Sequence, residues 1–122
     1  MLMKRGVHVI GDLYGCALEK FVQEKAAVAD FEKHITEKIN ATGLHCLGVV
    51  SHFFGPAALT SAFILSESHL TFHTWPEDAY VSLDVFTCDL NQVNGEKAEA
   101  IFDYLAEEVF HSKNIEKQII RR

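Results

Sequence analysis

The chain has 122 residues, of which 48% are hydrophobic and 23% are charged, with a formal net charge of −6. These values are typical of one globular domain and exclude a disordered, collagen-like or low-complexity chain. Acidic residues outnumber basic ones by 17 to 11 and the basic ones form no cluster, so we expect no nucleic-acid partner. The longest mostly apolar run, residues 56–65, is too short to span a bilayer. With three widely spaced cysteines, the sequence predicts a cytoplasmic protein with reduced thiols and no membrane partner.

Hydrophobic periodicity divides the chain into strands and helices. Alternation with a period of two predicts a strand, and apolar residues recurring at helical spacing predict a helix. In chain order the predicted elements are a strand at 6–14, a helix at about 27–40, strands at 46–53, 60–65, 69–75 and 80–88, a helix opening at Asn94-Gly95, and a strand at 115–120. Asp30 is the candidate cap of the first helix.

The order of these elements favours one fold class. Four consecutive strands joined by short turns predict a mostly antiparallel sheet. We therefore expect an α+β protein, a two-layer α/β sandwich with both helices on one face of the sheet. The helix-free face would need a partner or a ligand to cover it.

One twelve-residue segment carries an unusual density of reactive side chains. Residues 66–77 hold serines, two histidines, two acids and a tryptophan. In a strand, alternation places His69, Thr71, His73 and Trp75 on one face. Such a row is costly to bury unless its polar groups are hydrogen-bonded, so a purely structural strand does not account for it.

This segment resembles the small prokaryotic S-adenosylmethionine decarboxylase proenzymes. The resemblance rests on Ser66-Glu67-Ser68-His69-Leu70-Thr71-x-His73-Thr74-Trp75-Pro76-Glu77, on Asp84-x-Phe86-Thr87-Cys88, and on Gly6-x-His8 and Tyr14-x-Cys16. It runs from residue 6 to about residue 88 and continues weakly through the second helix. It implies a single domain over residues 1–122 that cuts itself at Glu67-Ser68 into a beta chain, 1–67, and an alpha chain, 68–122.

The resemblance also implies a cofactor and three catalytic residues. The Ser68 hydroxyl would attack the Glu67 carbonyl, and elimination would leave a covalent pyruvoyl group that forms a Schiff base with the substrate amine and serves as electron sink. His73 matches the proton acceptor in processing, and an imidazole titrates near neutral pH. Cys88 matches the proton donor in decarboxylation, and the pKa of a thiol is readily tuned by its surroundings.

The same resemblance implies a substrate and an assembly. Phe54 matches an aromatic residue beside adenine, Glu77 matches a residue that holds the ribose hydroxyls, and Trp75 is a further aromatic residue of the motif. Thr60 stands where the family often has a serine that supports processing, and its hydroxyl can donate the same hydrogen bond. The implied substrate is S-adenosylmethionine, decarboxylated for spermidine and polyamine biosynthesis. The implied assembly is a homo-oligomer, a dimer of alpha/beta pairs with active sites close to the protomer interface.

Two alternatives remain open from the sequence. Residues 54–58 differ in detail from the pocket loop of the family, so the same pyruvoyl chemistry on an amino acid such as ornithine or arginine is one alternative. The other is a non-processing, non-catalytic paralogue that acts as a partner subunit.

The histidines do not predict a metal site. His69 and His73 lie on one predicted strand, about 13 Å apart by the usual rise, which is too far for one zinc ion. No carboxylate or cysteine completes a ligand set with His45 or His52 at a recognisable spacing. We therefore expect no metal.

Overall fold

The structure is a computed structural model that describes residues 5–89 and 94–122. Its strands and helices follow the predicted order βαββββαβ. The elements are β1 (Gly6–Tyr14), α1 (Val28–Ala41), β2 (Cys46–Gly55), β3 (Ala58–Leu65), β4 (Ser68–Trp75), β5 (Tyr80–Cys88), α2 (Gly95–Tyr104) and β6 (Asn114–Arg121). Short 3-10 turns cover Lys25–Ala27 and Pro76–Asp78, and a π-helical turn, Leu105–Val109, continues α2. Within the two described ranges, no helix is long and apolar enough to cross a membrane.

The six strands form one antiparallel sheet in the order β2-β3-β4-β5-β1-β6. The strands β2, β3, β4 and β5 each pair with the next strand along the chain, as consecutive strands joined by short turns are expected to do. The N-terminal strand β1 then lies between β5 and the C-terminal strand β6. The predicted fold class, an α+β two-layer sandwich, is confirmed.

The core lies between the sheet and the two helices. Along β5, Val81, Leu83 and Val85 are buried while the residues between them are partly exposed, as the period-two pattern predicts. Ile35 of α1 and Phe102 of α2 belong to the same buried cluster. Each such side chain contributes about 1.5–3 kcal/mol when buried, so the inward faces of the elements hold the sandwich together.

The ends of α1 differ in part from the prediction. The N-cap is Ala27, and Asp30 lies in the first turn without a capping bond, so Asp30 was wrongly predicted as the cap. Its carboxylate still lies near the positive end of the helix dipole. At the other end Thr42 Oγ1 donates to the Ile39 carbonyl at 2.6 Å, and Gly43 takes a φ of +96°, which is typical of helix termination.

The sheet surface without helices, here called the free face, has two different halves. Apolar side chains are exposed across β2, β3 and β4, among them Val50, Phe54, Ile64 and Trp75. The half formed by β5, β1 and β6 carries a shallow polar cavity of about 430 Å³, which is lined by Asp12, Asp84 and Glu116 among others. The apolar half is the part of this face that water solvates poorly.

Candidate active site

Ser68 lies at a tight hairpin turn. It is the first residue of β4 and pairs with Leu65, so only Ser66 and Glu67 connect β3 to β4. The Ser68 hydroxyl donates a hydrogen bond to the Ser66 carbonyl at 3.1 Å. Glu67 has a φ of +61°. The peptide bond predicted to be cut therefore lies in an exposed turn, with the serine hydroxyl held inside it.

Cys88 lies at the same end of the sheet as Ser68. It is the last residue of β5, the strand that pairs with β4. Cys88, Ser68, Glu67 and Asn94 line one cavity of about 220 Å³, here called the cleavage-end cavity. The structure thus brings together the predicted cleavage site and the predicted proton donor.

His73 and Thr60 form a hydrogen-bonded pair farther along the sheet. They are directly opposite each other in the β3–β4 pair, and Thr60 Oγ1 lies 2.8 Å from His73 Nδ1. Because the hydrogen bond uses Nδ1, Nε2 is the nitrogen left to exchange a proton with another group. The Thr60 hydroxyl therefore fixes the orientation of the His73 imidazole.

The predicted substrate-binding residues surround this pair. Phe54, Trp75 and Glu77 line one pocket of about 380 Å³ with Thr60 and His73, here called the histidine-end pocket. Phe54 is 68% exposed, so its ring is available for stacking. Aromatic walls beside a carboxylate suit a ligand that has a planar ring and hydroxyl groups.

A stack of aromatic rings supports Trp75. The Trp75 ring stacks on Tyr80 with centroids 5.2 Å apart, and Tyr80 stacks on Tyr14 at 5.4 Å. The hydrogen bond that Tyr80 donates to the Asp12 carboxylate, together with burial, raises the pKa of Tyr80 to about 12. The hydrogen bond to Asp12 and the stacking on Trp75 thus hold this wall of the pocket in place.

Within one chain, the two parts of the predicted site are separate. Ser68 and His73 are five residues apart on β4, which corresponds to about 17 Å at the usual rise of a strand. No side-chain rotation spans that distance. One protomer therefore holds the predicted nucleophile, Ser68, at one end of β4 and the predicted base, His73, near the other.

Asn94 is a neighbour of the site that sequence reasoning assigned only to the start of a helix. It is the N-cap residue of α2 but makes no side-chain capping bond. Its Nδ2 instead donates to the Cys88 carbonyl at 2.7 Å, and its backbone N–H donates to Asp89 Oδ1 at 2.8 Å. These bonds fix the end of β5 that carries the thiol.

His8, from the Gly6-x-His8 element, belongs to a cluster of rings at the same end of the sheet as Ser68. His8 packs edge-on against His69 and Phe86, with centroids 6.0 and 5.8 Å away. Burial is the main cause that lowers the pKa of His8, with Arg122 and His69 acting in the same direction and Asp84 opposing them. His69, Phe86 and Arg122 line a cavity of about 500 Å³ that also reaches Ser68.

Among the residues that the structure describes, no group of three or more histidine, cysteine or acidic side chains is placed to hold a metal ion.

The fold matches a solved structure along its full length. The adenosylmethionine decarboxylase from Aquifex aeolicus VF5 superposes with a TM-score of 0.76 at 27% identity, covering 99% of this chain and 92% of that one. The shared fold is therefore that of an adenosylmethionine decarboxylase.

Sequence comparison gives the family. The family model for S-adenosylmethionine decarboxylase matches residues 7–122, so the chain belongs to this family. It is 34% identical to the S-adenosylmethionine decarboxylase proenzyme of Clostridium botulinum strain Loch Maree, over 95% of this chain and 93% of that protein. It is also 34% identical to the proenzyme of the same name from Methanococcus maripaludis strain C7, over 94% and 91%.

Proposed function

We propose that this protein decarboxylates S-adenosylmethionine for polyamine biosynthesis, using a pyruvoyl group that it makes from its own Ser68. The observation that carries the proposal is the common cavity of Ser68 and Cys88 at the β3–β4 hairpin, in a chain of this family. A hydroxyl beside its scissile carbonyl and a thiol in the same cavity fit both the formation of the group and its use.

The first reaction is self-cleavage. The Ser68 oxygen bonds to the Glu67 carbonyl carbon, the C–N bond breaks, and the Ser68 nitrogen takes a proton, so an ester replaces the amide. His73 of the partner subunit then removes the Ser68 Cα proton and the Cβ–O bond breaks, which releases the Glu67 carboxylate. The remaining enamine gains water and loses ammonia, which leaves residues 1–67 and a pyruvoyl-started chain of residues 68–122.

The second reaction is decarboxylation. The pyruvoyl group supplies the electron sink that the loss of CO₂ requires. Cys88 holds a proton at Sγ beside the reacting position and returns it to the substrate carbon after CO₂ has left. Asn94 supports this step by fixing the Cys88 backbone at the edge of the cavity.

Substrate recognition belongs to the histidine-end pocket. We infer that Phe54 stacks on the adenine ring, that Glu77 accepts hydrogen bonds from the ribose hydroxyls, and that Trp75 forms the adjoining wall. The carboxylate of Glu77 also suits a substrate that carries a sulfonium charge.

We further infer that two protomers complete each site. We place the free faces of two protomers against each other, with a two-fold axis between the sheets that passes over β4 near Thr71. This axis brings position 73 of β4 in one protomer close to position 68 of β4 in its partner. Ser68 and Cys88 of one protomer then meet His73 and Phe54 of its partner. The same packing covers the exposed apolar half of the free face.

Two measurements test the proposed function. Mass spectrometry of the purified protein should find the two chains of residues 1–67 and 68–122 with a pyruvoyl end, and CO₂ release should be specific for S-adenosylmethionine over ornithine and arginine. An intact chain after long incubation contradicts self-cleavage. Release of CO₂ from an amino acid alone contradicts the substrate.

Co-expression tests the shared site. The Ser68→Ala and His73→Ala variants should each remain uncut alone. In mixed dimers the Ser68 of one variant meets the His73 of the other, so about half of the His73→Ala chains should be cut under random pairing. The absence of any cutting in the mixture contradicts a site built from two protomers.

The cytoplasmic location stays a prediction from the sequence.

A further inference from the structure

Glu67 has a backbone conformation that is unusual for glutamate. Its φ of +61° lies in the left-handed region, where Cβ crowds the following carbonyl oxygen in any residue except glycine. Glycine and asparagine are the usual residues at such positions. The Glu67 side chain is exposed and takes part in none of the ion pairs between described residues. No local ion pair therefore offsets the unfavourable backbone.

The hairpin itself imposes this conformation. Leu65 and Ser68 form the last β3–β4 pair, so two residues must reverse the chain. Of the two loop residues only Glu67 has a positive φ, as the second central residue of a type II turn requires. The position is next to the proposed cut, and strained backbone is often found at reacting positions.

We propose that Glu67 is a positioning residue whose strained backbone promotes the self-cleavage at Glu67-Ser68. This inference rests on the proposed function. When the Ser68 oxygen bonds to the Glu67 carbonyl carbon and the C–N bond breaks, Cβ and Oγ of Ser68 become part of the main chain. The loop between the strands is then longer and no longer holds the φ of Glu67 at a positive value. The strain is released in this step, which shifts the amide–ester balance toward the ester.

The Ser68 side chain is placed to use that release. Its hydroxyl donates to the Ser66 carbonyl at 3.1 Å, so the attacking oxygen is held inside the same strained turn. The turn thus positions the nucleophile and raises the free energy of the bond it attacks. Both effects come from the backbone, and neither needs the Glu67 carboxylate.

Three variants separate backbone strain from the side chain. Glu67→Ala removes the carboxylate but keeps Cβ, so it is the reference variant for the effect of the backbone. Glu67→Gly relieves the strain and should cut about fivefold to thirtyfold more slowly than Glu67→Ala. Ala79→Gly is the matched control, because Ala79 has a φ of +48° in a turn that is not adjacent to the cut. It should cut at the wild-type rate.

A second measurement reads the amide–ester balance directly. In the His73→Ala background, elimination is blocked and the ester accumulates, and hydroxylamine splits esters but not amides. The fraction split should fall in Glu67→Gly/His73→Ala by the same factor as the rate. The melting temperature of uncut Glu67→Gly should be no lower than that of uncut Glu67→Ala. Damage to the fold by the glycine would instead lower the melting temperature of Glu67→Gly.

The outcomes distinguish the two proposals. Equal cutting rates and equal ester fractions in Glu67→Gly and Glu67→Ala overturn the role of strain while leaving self-cleavage intact. A wild-type chain that stays whole overturns the proposed function, and the role of Glu67 with it.

Discussion

The hydroxyl of Thr60 and Nδ1 of His73 lie 2.8 Å apart across neighbouring strands. The hydroxyl occupies Nδ1 of His73, so Nε2 is the imidazole nitrogen that faces the pocket. Threonine restricts χ1 more than serine does, so the hydroxyl has fewer directions in which to point. Thr60 therefore holds its hydroxyl against His73 more rigidly than a serine at this position would.

Removing this hydrogen bond should slow self-cleavage. Thr60→Val keeps the shape of the side chain but loses the hydroxyl, and one hydrogen bond is worth about 1 kcal/mol, so cleavage should be about fivefold slower. Thr60→Ser keeps the hydroxyl and should cut at close to the wild-type rate. The fraction of uncut chain over time, measured by gel electrophoresis, gives both rates. Cleavage of Thr60→Val at the rate of Thr60→Ser would show that His73 does not need this orientation.

Removing the reacting hydroxyl should abolish both reactions. Ser68→Ala has no oxygen to attack the Glu67 carbonyl, so the chain should remain whole and release no CO₂ from S-adenosylmethionine. Ser66→Ala, two residues away in the same turn, is the control and should still cut, because only the Ser66 carbonyl contacts the Ser68 hydroxyl. Detection of a 1–67 fragment in Ser68→Ala preparations would rule out Ser68 as the nucleophile.

Cys88 should matter for turnover and much less for cleavage. In Cys88→Ala the chain should still cut, whereas kcat should fall by about a hundredfold or more, as expected when a general acid is lost. Cys46→Ala is the control, since Cys46 begins β2, an edge strand of the sheet. Electrophoresis and CO₂ release measure the two reactions separately. An equal loss of cleavage and turnover would contradict the assignment of the thiol to the second reaction.

The lowered pKa of His8 predicts acid sensitivity. Burial lowers the pKa of His8 in the fold, and the charges of Arg122 and His69 add to that effect against Asp84. Below the ordinary histidine pKa of about 6.5, the unfolded chain binds a proton that the folded chain resists. Stability should therefore be fully present above about pH 6.5 and should decrease as the pH falls below it.

Replacement of His8 isolates this contribution. His8→Phe fills the same space beside Phe86 without a titrating group, so its melting temperature should fall less between pH 7 and pH 5 than that of the wild type. The melting temperatures of the uncut Ser68→Ala forms of both proteins keep the comparison free of cleavage. Parallel melting curves at every pH would mean that His8 does not titrate differently in the fold.

Sequence periodicity was sufficient for the fold because the pattern is regular. The strand at 80–88 alternates Val81, Leu83 and Val85 with partly exposed residues, and the structure buries the same three. The helix cap was less predictable. The 3-10 turn before α1 moves its start to Val28, and Asp30 falls inside the first turn.

The motif predicted candidate site residues but not how the fold arranges them. The motif named Ser68 and His73 together, yet strand geometry puts them at opposite ends of β4. A linear motif records spacing along the chain and carries no information on which partner surface closes a site. The left-handed φ of Glu67 was likewise hidden, because the sequence has neither glycine nor asparagine there to signal it.

The strand order has a consequence for the nicked protein. Proposed cleavage before Ser68 gives one piece that supplies β1, β2 and β3 and another that supplies β4, β5 and β6. Because β1 is inserted between β5 and β6, three of the five pairs of neighbouring strands contain one strand from each piece. The strands of the two pieces are therefore interleaved within one sheet. The cleaved protein should unfold in a single transition, and its two fragments should exchange slowly with those of other molecules.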